Sequence, residues 1–290
     1  MKHIIIGLLL LLSSVAHSQL ITDSILIGDH YRTFSYNKPA TNITGGSLLF
    51  VMHGSGGRAS DMIKPTTNLQ AIAGTEKLLI IYPEGYLHYW NECRKFSTAE
   101  ANKINIDEGT FFTAMIKTAQ QKFGISKEKV FAAGISGGGQ MAYKLALTMP
   151  DKIKGIAAIV ANLPDSASCD CTYANKPLPV LIINGTSDGT NPYNGGEMFV
   201  NNASYGVVRS TENTFAYWAT VDGYTGIPEK TMLPDTDTAD HKTIESYSYH
   251  QPDKPGVTLL KVINGNHGYP GDIDTYMYVW QFFKSQNVSK

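Results

Sequence analysis

Six short apolar runs, each stopping at a small or polar residue, constrain this chain more than any other feature of its sequence. They are SLLFVMHG to Gly54, LLIIYPEG to Gly85, VFAAG to Gly134, IAAIVAN to Asn162, PVLIINGTSD to Asp188 and TLLKVINGNHG to Gly268. Runs this short and this continuously apolar fit strands buried on both faces, which requires a sheet covered on both sides. Helical spacing lies between several of them. Phe112, Met115, Ile116, Ala119 and Phe123 share one face with Gly124 as a stop, and Met141, Ala142, Leu145, Ala146 and Met149 follow in the same way before Pro150. Strands alternating with helices predict an α/β fold with a mostly parallel central sheet, helices on both faces, and the chemistry gathered at the carboxyl ends of the strands. Ahead of this series, SILIGDHYRTFSYNKP alternates around Gly28-Asp29 and predicts an opening hairpin.

No repeat, low-complexity tract or linker divides the 290 residues, so a single domain is expected over residues 19–290. The segment before it, MKHIIIGLLLLLSSVAHS, combines Lys2, an apolar core from Ile4 to Leu12 and the small-residue pattern Ala16-His17-Ser18. That is the arrangement of an export signal over residues 1–18. Its core is far shorter than the ~20 residues that span a bilayer, so a secreted or periplasmic location without membrane attachment after cleavage is expected. With 17% charged residues and a net charge of -1, the chain has no basic surplus for nucleic acid. In an oxidising compartment Cys93 is expected to pair with either Cys169 or Cys171, which are too close together to bridge each other easily. One thiol is left over. A zinc site lacks the usual CxxC or neighbouring histidine, and no metal or other cofactor is implied.

The stretch VFAAGISGGGQMAY places Ser136 among Gly134, Gly137, Gly138 and Gly139. Gly134 to Gly138 matches G-x-S-x-G, a sharp strand-to-helix turn that lifts a serine hydroxyl above the sheet. A serine hydroxyl needs a base to take its proton and a carboxylate to orient that base, in the chain order Ser, acid, His. His267, in the glycine-rich loop after the last apolar run, meets that order better than His241 or His250, which sit in polar surroundings. Asp188 ends the run before it and can reach the imidazole from the adjacent strand; Asp165, in a proline loop, and Asp222, near a helix end, are weaker choices. The backbone N–H groups of Gly137 and of Ser55, in MHGSGG, are predicted to receive a developing oxyanion, with His53 orienting that loop rather than serving as base.

The blocks LLFVMHGSGG, YPEG, IDEGTFFTAMI, GISGGGQMAY, PVLIINGTSDGTNPYNGG and GNHGYPG occur in the order found in secreted α/β-hydrolases of the polyhydroxybutyrate depolymerase and feruloyl esterase type, a branch of the carbohydrate esterases. The chain resembles these over most of its length after residue 18. The resemblance implies an α/β-hydrolase fold, Ser136, Asp188 and His267 as a triad, and Ser55 and Gly137 as oxyanion donors. Two positions depart from the pattern: Tyr269 stands where the family usually has Trp after the histidine, and Glu108 where it often has a second aspartate beside Asp107.

The expected activity is therefore hydrolysis of carboxylic esters through an acyl-enzyme on Ser136, with acetyl or feruloyl esters on plant-type oligosaccharides, or a small-molecule ester, as substrate. Trp90 and Tyr193 are expected to give flat walls for an acyl or sugar ring. A polyhydroxybutyrate-type depolymerase, a peptidase of the same fold and a non-catalytic binding protein are the alternatives. The absence of a recognisable polymer-binding module leans toward soluble esters, and an intact triad order argues against a binding protein.

Overall fold

The computed structural model describes residues 19–286, so the export signal read in residues 1–18 lies outside the described residues. The chain opens with the expected hairpin, β1 (Leu20–Ile27) and β2 (His30–Asn37). Five of the apolar runs follow as β3 (Ser47–Met52), β4 (Leu78–Pro83), β5 (Val130–Ile135), β6 (Ile156–Ile159) and β7 (Val180–Gly185). A separate hairpin, β8 (Gly196–Val200) and β9 (Ala203–Val208), interrupts the series. Then come β10 (Glu229–Met232), β11 (Thr243–Gln251) and β12 (Lys254–Ile263), the last containing the sixth run. The helices are α1 (Thr67–Ile72), α2 (Glu100–Lys103), α3 (Glu108–Phe123), α4 (Gly137–Thr148), α5 (Thr211–Val221) and α6 (Thr275–Ser285).

The main sheet runs β1-β2-β4-β3-β5-β6-β7-β12-β11-β10. Its centre, from β4 to β12, is parallel, and antiparallel strands extend both edges. The continuous burial of the runs has a simple cause. Along β3, Leu48, Phe50 and Met52 enter the layer shared with Phe112 and Met115 of α3, Met141 of α4 and Trp218 of α5; Leu49 and Val51 enter the opposite layer with Leu69 of α1 and Val279 and Trp280 of α6. Each strand residue therefore faces a helix whichever way it points, and each such aliphatic side chain contributes roughly 1.5–3 kcal/mol.

Local signals fix the helix that follows the opening strands. Asp107 caps α3 by accepting the Thr110 N–H at 2.8 Å, and Gly124 ends it at φ +66°, a conformation that costs glycine little. Glu108, the departure from the family pattern, is fully buried and accepts from Arg32 Nη2 at 2.9 Å and from the Asn91 N–H at 3.1 Å. It braces the loop after β4. The disulfide joins Cys93 to Cys171, leaving Cys169 as the free thiol.

The topology positions the site. From β3 the chain steps to β4 on one side, and β5 lies on the other side of β3. The loops leaving β3 and β5 thus diverge above adjacent strands and open a crevice at their carboxyl ends.

Candidate active site

Ser136 sits at that crevice, between β5 and α4. Its backbone is at φ 54°, ψ -117°, a strained combination for a residue with a side chain and the mark of a turn held by its surroundings. The surroundings explain the glycines. A methyl group on Gly134 would collide with the Gly138 backbone, and one on Gly138 would meet the Met52 and His53 carbonyls. The elbow can therefore close against β3 only because both positions lack side chains.

The Ser136 Oγ lies 2.9 Å from His267 Nε2, and His267 Nδ1 lies 2.7 Å from Asp188 Oδ2. The acidic end of this relay is pinned. Asp188 is 7% exposed, and its Oδ1 accepts the backbone N–H groups of Thr190 and Asn191, each at 2.8 Å. An acceptor-only carboxylate facing Nδ1 makes that nitrogen the donor, so Nε2 presents its lone pair to the serine hydroxyl. The loops bearing acid and base are tied together: Ser187 N–H donates to the Gly265 carbonyl at 2.8 Å, and Asn264 N–H to Thr186 Oγ1 at 2.8 Å.

The predicted oxyanion loop stands beside the elbow. A Cβ on Gly54 would lie 3.4 Å from Ser136 Cβ, and one on Gly137 would strike Ser55 Oγ and come within 2.9 Å of Ser55 N. Ser55 and Gly137 thus lie against each other next to Ser136, with Gly137 the first residue of α4 and so at its positive end. His53 orients this loop as expected. Its Nδ1 donates to the Gly54 carbonyl at 2.8 Å and its Nε2 accepts the Gly85 N–H at 2.9 Å. Burial holds its pKa below the usual histidine value, so it stays neutral and keeps both bonds.

Two sequence expectations are corrected. Trp90 is 2% exposed, its indole N–H donates to the His53 carbonyl at 2.9 Å, and its ring packs against His53 and Phe112. It supports the loop after β3 from within the core and offers no wall to a ligand. Tyr193 is 5% exposed, with the Lys261 ammonium 5.1 Å from its ring centre and its carbonyl accepting the Thr211 N–H. It anchors the start of α5. The rival residues are engaged elsewhere: Asp165 accepts the Ser168 N–H, Asp222 accepts the Leu178 N–H, and His241 and His250 are exposed. The sequence reading missed the clamp from Thr190 and Asn191, whose only signal is the short polar turn that follows Asp188.

Fold, elbow and relay define an α/β-hydrolase. The model of the Phospholipase/Carboxylesterase family matches residues 47–216, from β3 into the first half of α5, and the chain belongs to that family. It is similar to feruloyl esterase B of Piromyces equi, 28% identical over 128 residues that make up 43% of this chain and 23% of that protein. It is also similar to the acetylxylan esterase of Coprinopsis cinerea, 28% identical over 133 residues, 45% of this chain and 33% of that one. The chain thus spans well under two thirds of the length of these curated relatives. Among solved structures, an acetyl xylan esterase from Aspergillus awamori shares the fold, with a TM-score of 0.61 at 15% identity over 90% of this chain and 99% of that one. No helix among the described residues is long and apolar enough to cross a membrane.

Proposed function

We propose that the chain is an exported serine esterase that cleaves carboxylic esters through an acyl-enzyme on Ser136. The observation that carries this reading is the continuous relay from Ser136 through His267 to a clamped Asp188, at 2.9 and 2.7 Å, with Ser55 and Gly137 packed against each other beside it. Ser136 Oγ attacks the ester carbonyl carbon while His267 Nε2 takes its proton. The charge that develops on the carbonyl oxygen is received by the N–H groups of Gly137 and Ser55, each such donor being worth about 3–4 kcal/mol. Collapse of the tetrahedral intermediate expels the alcohol, to which the imidazolium gives its proton. Water, deprotonated by the same nitrogen, then attacks the acyl-enzyme and the serine is restored.

The favoured substrates are acetyl or feruloyl esters of oligosaccharides. The relatives named feruloyl and acetylxylan esterase support this choice. Export is supported by the signal-like N-terminus and by the Cys93–Cys171 bridge, which persists in oxidising compartments. The test is a panel of p-nitrophenyl acetate, methyl ferulate, an acetylated xylo-oligosaccharide and a 3-hydroxybutyrate oligomer, given to the purified wild type and to Ser136→Ala. The reading predicts turnover of the first three, lost in Ser136→Ala; preference for the hydroxybutyrate oligomer would instead indicate a polyester depolymerase.

A further inference from the structure

Beside the loop that carries Ser55 stands Tyr89, the immediate neighbour of the buried Trp90. Tyr89 is half-buried, in the loop after β4 that is laced to the oxyanion loop: Gly56 N–H donates to the His88 carbonyl at 2.8 Å and Gly85 N–H to His53 Nε2. A Cβ placed on the exposed Gly56, one residue beyond Ser55, would lie 3.5 Å from the Tyr89 Oη. The phenol is therefore at the rim of the same loop that supplies an oxyanion donor.

A second element holds it there. The chain leaves the Asp188 clamp, passes Pro192, and enters the β8–β9 hairpin, whose strands pair up to Val200 opposite Ala203. The two residues between, Asn201 and Asn202, have φ of 50° and 63°, the left-handed pair that a two-residue hairpin turn requires and asparagine tolerates. This turn delivers Asn201 Nδ2 to the Tyr89 Oη at 3.2 Å. The hairpin is itself fastened by Arg94, whose Nη1 contacts Met198 Sδ at 3.1 Å and whose guanidinium lies over the Tyr205 ring. An amide NH₂ can only donate, so the phenol oxygen is the acceptor and its own proton has no acceptor among the described residues.

We propose that the Tyr89 hydroxyl, positioned by Asn201, donates a hydrogen bond to an oxygen on the alcohol portion of the ester, and that this alcohol is a sugar ring. The inference rests on the serine esterase reading. The scissile carbonyl oxygen already has the N–H groups of Ser55 and Gly137, so a donor at the outer edge of that loop needs a different oxygen. In an acetyl ester every oxygen beyond the ester group belongs to the alcohol, and a sugar ring carries hydroxyl and ether oxygens next to it.

The experiment compares wild type, Tyr89→Phe, Asn201→Ala and the double variant on an acetylated xylo-oligosaccharide, p-nitrophenyl acetate and methyl ferulate, with Ser136→Ala as the blank. Tyr89→Phe keeps the ring and removes only the hydroxyl. The expected result is a loss of kcat/KM on the sugar ester at least tenfold larger than on the other two, falling mainly on KM because the contact exists before and during reaction. Asn201→Ala should lose part of this, and the double variant no more than Tyr89→Phe alone, since Asn201 acts through the phenol. Equal losses on all three esters, a loss on methyl ferulate matching that on the sugar ester, or wild-type enzyme that cleaves the simple esters and ignores the sugar ester would overturn the proposal. Additive losses in the double variant would remove Asn201 from it. Activity surviving in Ser136→Ala, or absent from wild type on every ester, would overturn the esterase reading itself.

Discussion

Replacing Asp188 by Asn tests the relay with little change of shape. One carboxylate oxygen is committed to the Thr190 and Asn191 N–H groups at 2.8 Å each, and the other accepts from His267 Nδ1 at 2.7 Å. The amide oxygen must keep the backbone clamp, because an NH₂ facing two N–H donors is repulsive. Its NH₂ then faces Nδ1 and turns that nitrogen into an acceptor, which moves the imidazole proton to Nε2. There it points at the Ser136 Oγ and blocks proton removal. The same exchange in serine proteases costs ~10⁴ in kcat, and at about 1.36 kcal/mol per decade that is about 5.5 kcal/mol of lost transition-state stabilisation. Steady-state kinetics on p-nitrophenyl acetate should show this fall in kcat with KM little changed, and a thermal melt should show a folded protein. A folded Asp188→Asn variant within a hundredfold of wild type would refute the assignment of tautomer and acid together.

Other perturbations address neighbouring parts of the account. Gly137→Ala would push its methyl into Ser55, 2.9 Å from the Ser55 nitrogen, and should lower kcat ~10²–10³, the usual effect of losing one oxyanion donor; unchanged kcat would detach that loop from the reaction. Burial raises the pKa of Asp222 from 3.8 to about 8, so the folded state holds its proton while the unfolded state releases it. Its contribution to stability is full below about pH 4, declines as pH rises through that window, and is exhausted near pH 8. Denaturant titrations of Asp222→Asn should accordingly gain on wild type from pH 5 to pH 8, by up to a few kcal/mol, and a difference independent of pH would refute this. The Cys93–Cys171 bridge closes a separation of 78 residues, for which loop entropy gives about 4.5 kcal/mol. Cys171→Ser should therefore melt well below wild type, while Cys169→Ser should melt as wild type and abolish thiol titration of the denatured protein.

The sheet and the relay were legible because each signal was local and redundant. A run such as SLLFVM is apolar at every position whichever face it shows, and Gly134 to Gly138 leave few turns that fit between strand and helix. The order of Ser136, Asp188 and His267 along strand ends then left little choice of partner. What failed were assignments that depend on which way one residue of a pair turns. Tyr89 and Trp90 are adjacent aromatics in one loop; the indole satisfies its N–H on the His53 carbonyl inside the core and the phenol stays at the rim. Nothing in the pair of letters distinguishes them. Tyr193 was misread for a similar reason, since its burial depends on Lys261 and α5, distant in sequence. The choice between Cys169 and Cys171 turned on the path of a loop past Cys93. The β8–β9 hairpin did carry a signal, the Asn201-Asn202 turn between strand-forming segments, whereas α6 adds Tyr276, Val279, Trp280 and Phe283 to one layer of the core from beyond the last motif.

The central claim is a covalent acyl intermediate on one particular serine. Wild-type protein is mixed with a slowly deacylating aryl ester, quenched in acid during the burst, digested, and the modified peptide sequenced by mass spectrometry. The account predicts a single acyl adduct on Ser136, approaching one per chain, absent in Ser136→Ala and formed orders of magnitude more slowly in His267→Ala. An adduct on any other residue, or full turnover of the ester by Ser136→Ala, would contradict it.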